Sequence, residues 1–265
     1  MGKFEGKIAI VTGGGSGLGR AISRRLAAEG AKIAVADINL DGAQETVAML
    51  EAEGHEGYAV YCDVTKAASV QEMAEAVKGK YGKVNFLVNN TGICIEARTS
   101  MRLCDTEEEV WDKSMALNLK SIFLVGKYVI PELIAAGGGA ICNISSVAGY
   151  FPSFSASYAA GKAGVIAITK SIALQYADDG IRCNCICPGP MRTPTGISAN
   201  KIGNIHVDQP RLRMIDRVAD PSEMANVVCF LLSDEASYIT GTEVKVDGGS
   251  MALSVKIPPR VKPEE

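Results

Sequence analysis

Tyr158 and Lys162 stand four residues apart in Tyr158-Ala159-Ala160-Gly161-Lys162. On a helix such positions share one face. An isolated phenol has a pKa of about 10 and carries protons poorly near neutrality. A neighbouring ammonium favours the phenolate and pulls that value down. The pair would then suit proton exchange with an alcohol or a ketone. A second reactive-looking feature is the run Thr12-Gly13-Gly14-Gly15-Ser16-Gly17-Leu18-Gly19. It fits neither G-x-G-x-x-G nor a phosphate loop ending in Lys. It does read T-G-x-x-x-G-x-G, with glycines that let the backbone turn sharply. Placed between a strand and a helix, it lets backbone approach a pyrophosphate that the helix N-terminus attracts.

Asp37 follows the glycines by about 20 residues, where an acid can hold the adenosine ribose hydroxyls. A phosphate on that ribose, roughly 4 Å away, would be repelled by about 4 kcal/mol at an effective dielectric near 20. No Arg or Lys occupies Gly14 to Ser16 to offset this, so NAD is favoured over NADP. The competing reading of Asp37 is a helix cap or a surface carboxylate.

The elements that must position these groups alternate. Apolar runs at Lys7–Thr12, Lys32–Asp37, Tyr58–Asp63, Asn85–Asn90, Ala140–Ser146, Ile181–Cys187 and Glu243–Asp247 read as strands. The first four are almost continuously apolar, as strands buried on both faces are. Between them, Leu18–Gly30, Asn39–Ala52, Ala67–Tyr81, Glu107–Ile134, Ser157–Ala177 and Pro221–Leu232 have helical spacing. The fold expected is α/β: one doubly wound parallel sheet of seven strands flanked by helices, a single domain over residues 1–265. Two segments break the rhythm, Ile93–Thr106 and Thr193–Ala219. Both leave strand C-termini, where ligands bind in such sheets. The second reads as a substrate lid, with Ile197, Ile202, Ile205, Val207, Leu212, Met214 and Ile215 suited to an apolar, cyclic substrate or to a lid's own inner face. Ile93, Ile95, Met101 and Leu103 shape a substrate pocket or belong to a surface Ω-loop. Ser250–Glu265 reads as an extended arm.

Composition narrows the classes further. The 265 residues are 47% hydrophobic and 22% charged, with 27 basic against 30 acidic side chains and a net charge of −3. That balance gives no electrostatic footprint for nucleic acid or an anionic membrane. No apolar stretch is long enough for a span, and Met1–Gly6 does not read as a targeting peptide. The eight cysteines include no C-x-x-C. Cys183, Cys185 and Cys187 alternate on one strand and read as small buried hydrophobes in a reducing cytoplasm. The two histidines, His55 and His206, stand far apart, so neither a zinc site nor a Ser-His-Asp triad is expected.

Nearly the whole chain resembles the short-chain dehydrogenase/reductase family. The matching pieces are TGGGSGLG at 12–19, Asp63-Val64, Asn89-Asn90-Thr91-Gly92, Asn118, ISSVAG at 144–149, Tyr158…Lys162 and IRCNCICPGP at 181–190. The resemblance implies that Tyr158 is the acid/base, and that Lys162 tunes it and binds the nicotinamide ribose. A serine at the end of the fifth strand would hydrogen-bond the substrate oxygen. Anchoring on V-A-G selects Ser146, whereas the family's usual spacing to the Tyr selects Ser145; the strand-end anchor is preferred, because a loop loses a residue more easily than a strand shifts register. Asn118 would hold a water in a proton relay reaching Lys162. Gly13, Ser16, Gly17, Leu18, Gly19, Asp37, Asp63, Val64, Asn90, Pro188, Gly189 and Thr193, with Tyr158 and Lys162, would contact the cofactor, NAD. The family commonly has N-N-A-G, so Thr91 adds a hydroxyl beside the cofactor.

The activity implied is NAD(H)-dependent interconversion of a secondary alcohol and a ketone on a small, apolar, alicyclic or steroid-like molecule. A homotetramer, built through the long helices Glu107–Ile134 and Ser157–Ala177, is the family expectation. Two alternatives remain: an NADPH-dependent 3-oxoacyl-type ketone reductase served by an acyl carrier, and a non-catalytic NAD-binding regulator.

Overall fold

The computed structural model describes residues 2–95, 102–153, 155–193 and 213–253. Its centre is one parallel sheet of seven strands: β1 (Ile8–Thr12), β2 (Lys32–Asp37), β3 (Gly57–Tyr61), β4 (Phe86–Asn89), β5 (Gly139–Ile144), β6 (Ile181–Pro188) and β7 (Glu243–Val246). Their order is β3-β2-β1-β4-β5-β6-β7, so the winding reverses between β1 and β4. Each connection is a crossover on one face. Helices α1 (Gly17–Ala27), α2 (Leu40–Ala52) and α7 (Pro221–Leu232) cover one side. Helices α3 (Ala67–Tyr81), α5 (Ser121–Ala135) and α6 (Ala156–Gln175) cover the other.

The pleat explains the apolar runs. Ile8 and Ile10 of β1 join the core under α3 and α5, while Ala9 and Val11 join the core under α1 and α7. Both faces are dry, so nearly every strand position is apolar. Cys183, Cys185 and Cys187 are all buried free thiols, as are Cys62, Cys142 and Cys229.

Two expectations change in detail. The stretch expected as one helix over Glu107–Ile134 is a rod in three parts. Here α4 (Glu108–Met115) runs through a π turn, Ala116–Lys120, into α5. The wider turn carries the buried Asn118, and such bulges recur at functional sites. Ser250–Ala252, expected to open an extended arm, form a 3-10 turn capped by Asp247, which accepts from Gly249 N–H and Met251 N–H. The rest of that arm, 254–265, lies outside the described residues.

The segment expected as a lid also lies outside them from 194 to 212, together with Ile197, Ile202, Ile205, Val207 and Leu212. Its two ends are described and adjacent. Met191 and Ala219 form a parallel bridge, with Arg192 N–H donating to Ala219 O at 3.0 Å. Ile215 N–H donates to Gly248 O beyond β7 at 2.9 Å. The segment therefore leaves and rejoins the fold at the C-terminal edge of β6 and β7.

Candidate active site

Thr12 ends β1 and stitches it to β4. Its hydroxyl donates to Val88 O at 3.3 Å and accepts from Asn90 N–H at 3.0 Å. The chain then turns at Gly13, whose φ of +63° favours glycine. Gly19 must also be glycine, because a β-carbon there would stand 2.1 Å from Gly13 O. That contact brings the first turn of α1 against the strand end. Ser16, the residue before α1, makes no side-chain cap. The helix's opening N–H groups thus lack a side-chain cap, and uncapped helix N-termini attract anions. Asn90 donates to Thr12 O and Gly13 O, at 3.0 and 3.1 Å, bracing the turn from the far side of the reversal point.

Asp37 ends β2 beside this turn. Its Oδ2 accepts from Gly15 N–H and its Oδ1 from Asn39 N–H, both at 2.9 Å. It does not cap α2; Asn39 does. Arg20 reaches the same turn, a feature the run Gly14 to Ser16 did not reveal. Its guanidinium donates to Gly15 O at 2.5 Å and to Thr46 Oγ1, and pairs with Glu45 at 2.9 Å. At the end of β3, Asp63 Oδ1 accepts from Thr65 N–H and Oγ1–H, and Val64 is buried. Across the sheet Pro188 is buried, and Gly189 and Thr193 are half-buried.

Lys162 of α6 is 3% exposed, and its ammonium donates to Ile144 O at the end of β5, at 2.9 Å. Burial pulls its pKa down to about 8. The ammonium lies over the Tyr158 ring, 5.7 Å from its centre. Burial raises the Tyr158 phenol above its ordinary value, and the facing Ser146 hydroxyl opposes that rise. The expected downward pull by Lys162 is therefore not what this geometry shows. Loss of solvent is the largest influence on the phenol, and the ammonium over its ring does not offset it.

The two serines separate cleanly. Ser146 lies outside the strand, accepts from Ala148 N–H and faces Tyr158. Ser145 is 3% exposed and donates to the main-chain carbonyl of Lys162 at 2.7 Å.

Asn118 is fully buried in its π turn. Its side chain pairs with one residue's backbone as a strand would: Nδ2–H donates to Ile93 O at 3.0 Å, and Oδ1 accepts from Ile93 N–H at 3.1 Å. It fixes the chain leaving β4. Gly92 precedes that pair, and a β-carbon on it would stand 2.7 Å from Lys162 Nζ and 2.8 Å from Asn118 Oδ1. Gly92 thus marks where Asn118 and Lys162 converge; its place after Asn89-Asn90-Thr91 was its only sequence signal. Beyond it, half-buried Cys94 lies near Tyr158. Thr91, the departure from N-N-A-G, has its hydroxyl buried near Gly13 with no partner.

Of the residues weighed for a substrate pocket, Met101 lies outside the described set and Leu103 is 68% exposed. Leu103 lines a surface hollow of about 370 Å³ with Thr106, Glu108, Trp111 and Asp112. None of the converging residues lines that hollow.

A glycine cradle at the reversal of a parallel sheet, an acid at the next strand end and a Ser-Tyr-Lys-Asn cluster across the crevice define a dinucleotide-dependent oxidoreductase. The family model described as enoyl-(acyl carrier protein) reductase matches residues 13–251. The chain is 40% identical over 248 residues to the 2,5-dichloro-2,5-cyclohexadiene-1,4-diol dehydrogenase LinX of Sphingobium indicum, covering 93% of this chain and 97% of that one. It is 37% identical to cyclohexanol dehydrogenase of an Acinetobacter species, covering 93% and 95%. A short-chain type dehydrogenase/reductase from Mycobacterium marinum superposes with a TM-score of 0.86 at 26% identity, covering 94% and 97%. The chain belongs to the short-chain dehydrogenase/reductase family, whose members use a nicotinamide dinucleotide. Among the described residues, no helix is long and apolar enough to cross a membrane.

Proposed function

We propose that this protein is an NAD(H)-dependent dehydrogenase of secondary alcohols on apolar cyclic skeletons, the steroid-like included. The observation that carries the reading is the convergence of Tyr158, Ser146, Lys162 and Asn118 at the strand ends, with Asp37 beside the glycine turn. The names of two relatives, LinX and cyclohexanol dehydrogenase, support a cyclic alcohol.

The residues fit the dinucleotide. Gly13, Ser16, Gly17, Leu18 and Gly19 would hold its pyrophosphate and Asp37 its adenosine ribose. Asp63 and Val64 would meet the adenine. Asn90, Pro188, Gly189 and Thr193 would line the remaining cleft, and Lys162 would hold the second ribose. When bound, the nicotinamide supplies hydride acceptance. In oxidation, Ser146 donates a hydrogen bond to the substrate oxygen. In its phenolate form Tyr158 Oη would take the alcohol proton while hydride passes to the nicotinamide, so the C–O bond becomes a carbonyl; burial favours the protonated phenol, so this base form fills as pH rises. In reduction the same proton returns from Tyr158. Lys162 supplies positive charge across the ring face. Asn118 holds the wall at Ile93 and offers a carbonyl oxygen next to Lys162, where a relay water would sit.

The second reading, an NADPH-dependent acyl-type reductase, draws on the description of the matching family model. Asp37 and the engagement of Arg20 by Glu45 argue against it. A third, a non-catalytic NAD-binding regulator, is disfavoured by the complete cluster. Buried free thiols suit a reducing cytoplasm. The homotetramer is testable by light scattering, where a monomer mass refutes it.

The deciding experiment is a screen of cyclohexanol, cyclic diols, hydroxysteroids and polyols with NAD, read as NADH absorbance. Turnover of a cyclic alcohol is expected. No turnover with tight NAD binding supports the regulator, and turnover only of 3-oxoacyl thioesters with NADPH supports the reductase.

A further inference from the structure

We infer that Ser145 is a positioning residue that clamps Lys162 for its work on the coenzyme and Tyr158. This rests on the role proposed above for Lys162. The two residues that follow one another at the end of β5 grip the same lysine at its two ends. Ile144 O takes the ammonium at 2.9 Å, and Ser145 Oγ–H donates to the lysine's main-chain carbonyl at 2.7 Å. Ser145 is itself tied to the neighbouring strand, its N–H donating to Ile186 O at 2.9 Å.

The proton count gives the clamp a direction. A hydroxyl has one hydrogen, and a carbonyl only accepts. Ser145's hydrogen is therefore committed to Lys162. The bond from Ser145 to Lys162 therefore runs one way, from the end of β5 into α6. Ser145 is 3% exposed, so it acts through Lys162 and does not touch substrate. The opposite wall is equally close: Gly92 leaves no room for even a β-carbon beside the ammonium. A lysine held between such surfaces reports small movements of its helix.

The test is calorimetric NAD affinity for the wild type, Ser145→Ala, Ser145→Thr, Lys162→Met and the Ser145→Ala/Lys162→Met double variant. The expectation is that Ser145→Ala weakens NAD about fivefold, the range of one lost neutral hydrogen bond. Ser145→Thr, which keeps the hydroxyl, should return to within twofold. In the Lys162→Met background, Ser145→Ala should add less than twofold, because its route is gone. A merely structural serine would weaken NAD by the same factor in both backgrounds, and that result overturns the inference. Ser145→Ala binding NAD like wild type while Lys162→Met is impaired overturns the clamp alone. Lys162→Met binding like wild type removes the reading of Lys162 and the clamp with it. If the extra methyl of Thr prevents folding, the two backgrounds decide.

Discussion

Replacing Asp37 with Ser tests coenzyme choice at one carboxylate. Asp37 is half-buried and held by two N–H groups at 2.9 Å, so its charge is fixed in place at the glycine turn. A 2′-phosphate roughly 4 Å away is repelled by about 1 kcal/mol at the dielectric of water and by about 4 kcal/mol at an effective value near 20. The wild type should then prefer NAD in kcat/KM by between about 5-fold and about 1,000-fold. Asp37→Ser removes the repulsion and also a charge-assisted bond to the ribose, worth about 1.5–3 kcal/mol. The NAD value should fall by about 10- to 100-fold, the NADP value should rise, and the ratio should approach one. Initial rates with both coenzymes on one cyclic alcohol measure the ratio. An apo melting curve separates the loss of two backbone bonds from coenzyme recognition. A variant that keeps the wild-type ratio, or a wild type that uses NADP as readily as NAD, refutes the argument.

Three further outcomes follow from the same geometry. Tyr158→Phe should lower kcat by at least about 100-fold, the lower range for a lost general acid/base, with NAD affinity by calorimetry within a few-fold; an undiminished rate refutes the proton-transfer role. Thr91→Val should remove an unpartnered buried hydroxyl and raise stability by about 1 kcal/mol, seen as a melting point about 2–4 °C higher; a lower melting point would show the hydroxyl to be satisfied. Burial takes Lys162 from 10.5 to about 8, so between those values the unfolded chain binds the proton that the folded chain has released. Stability attributable to Lys162 therefore rises as pH climbs from about 8 to about 10.5. Against Lys162→Met, the unfolding free energy of wild type should gain on the order of 3 kcal/mol across that window, and a flat difference in denaturant titrations refutes it.

The sheet was legible in the residues because strands buried on both faces must be apolar throughout, and helices between them must show one apolar stripe. Helix α3 and helix α7 fall on the residues their spacing marks, Ala67–Tyr81 and Pro221–Leu232. The glycine turn, Asp37 and the Tyr158–Lys162 pair were legible because each depends on local spacing: a turn, a strand end, one helical rise. Contacts between distant segments were not. The V-A-G anchor pointed to Ser146, but the division of work between the serines, Ser146 facing Tyr158 and Ser145 bonded to the Lys162 carbonyl, depends on how β5 ends against α6, two elements whose docking no local pattern encodes. The π turn at Asn118 exists to meet the backbone of Ile93, twenty-five residues earlier. Arg20's approach to Gly15 and the lift of the Tyr158 phenol by burial likewise come from packing. Desolvation and orientation are properties of a filled volume, and residue order fixes those only after the chain has closed around them.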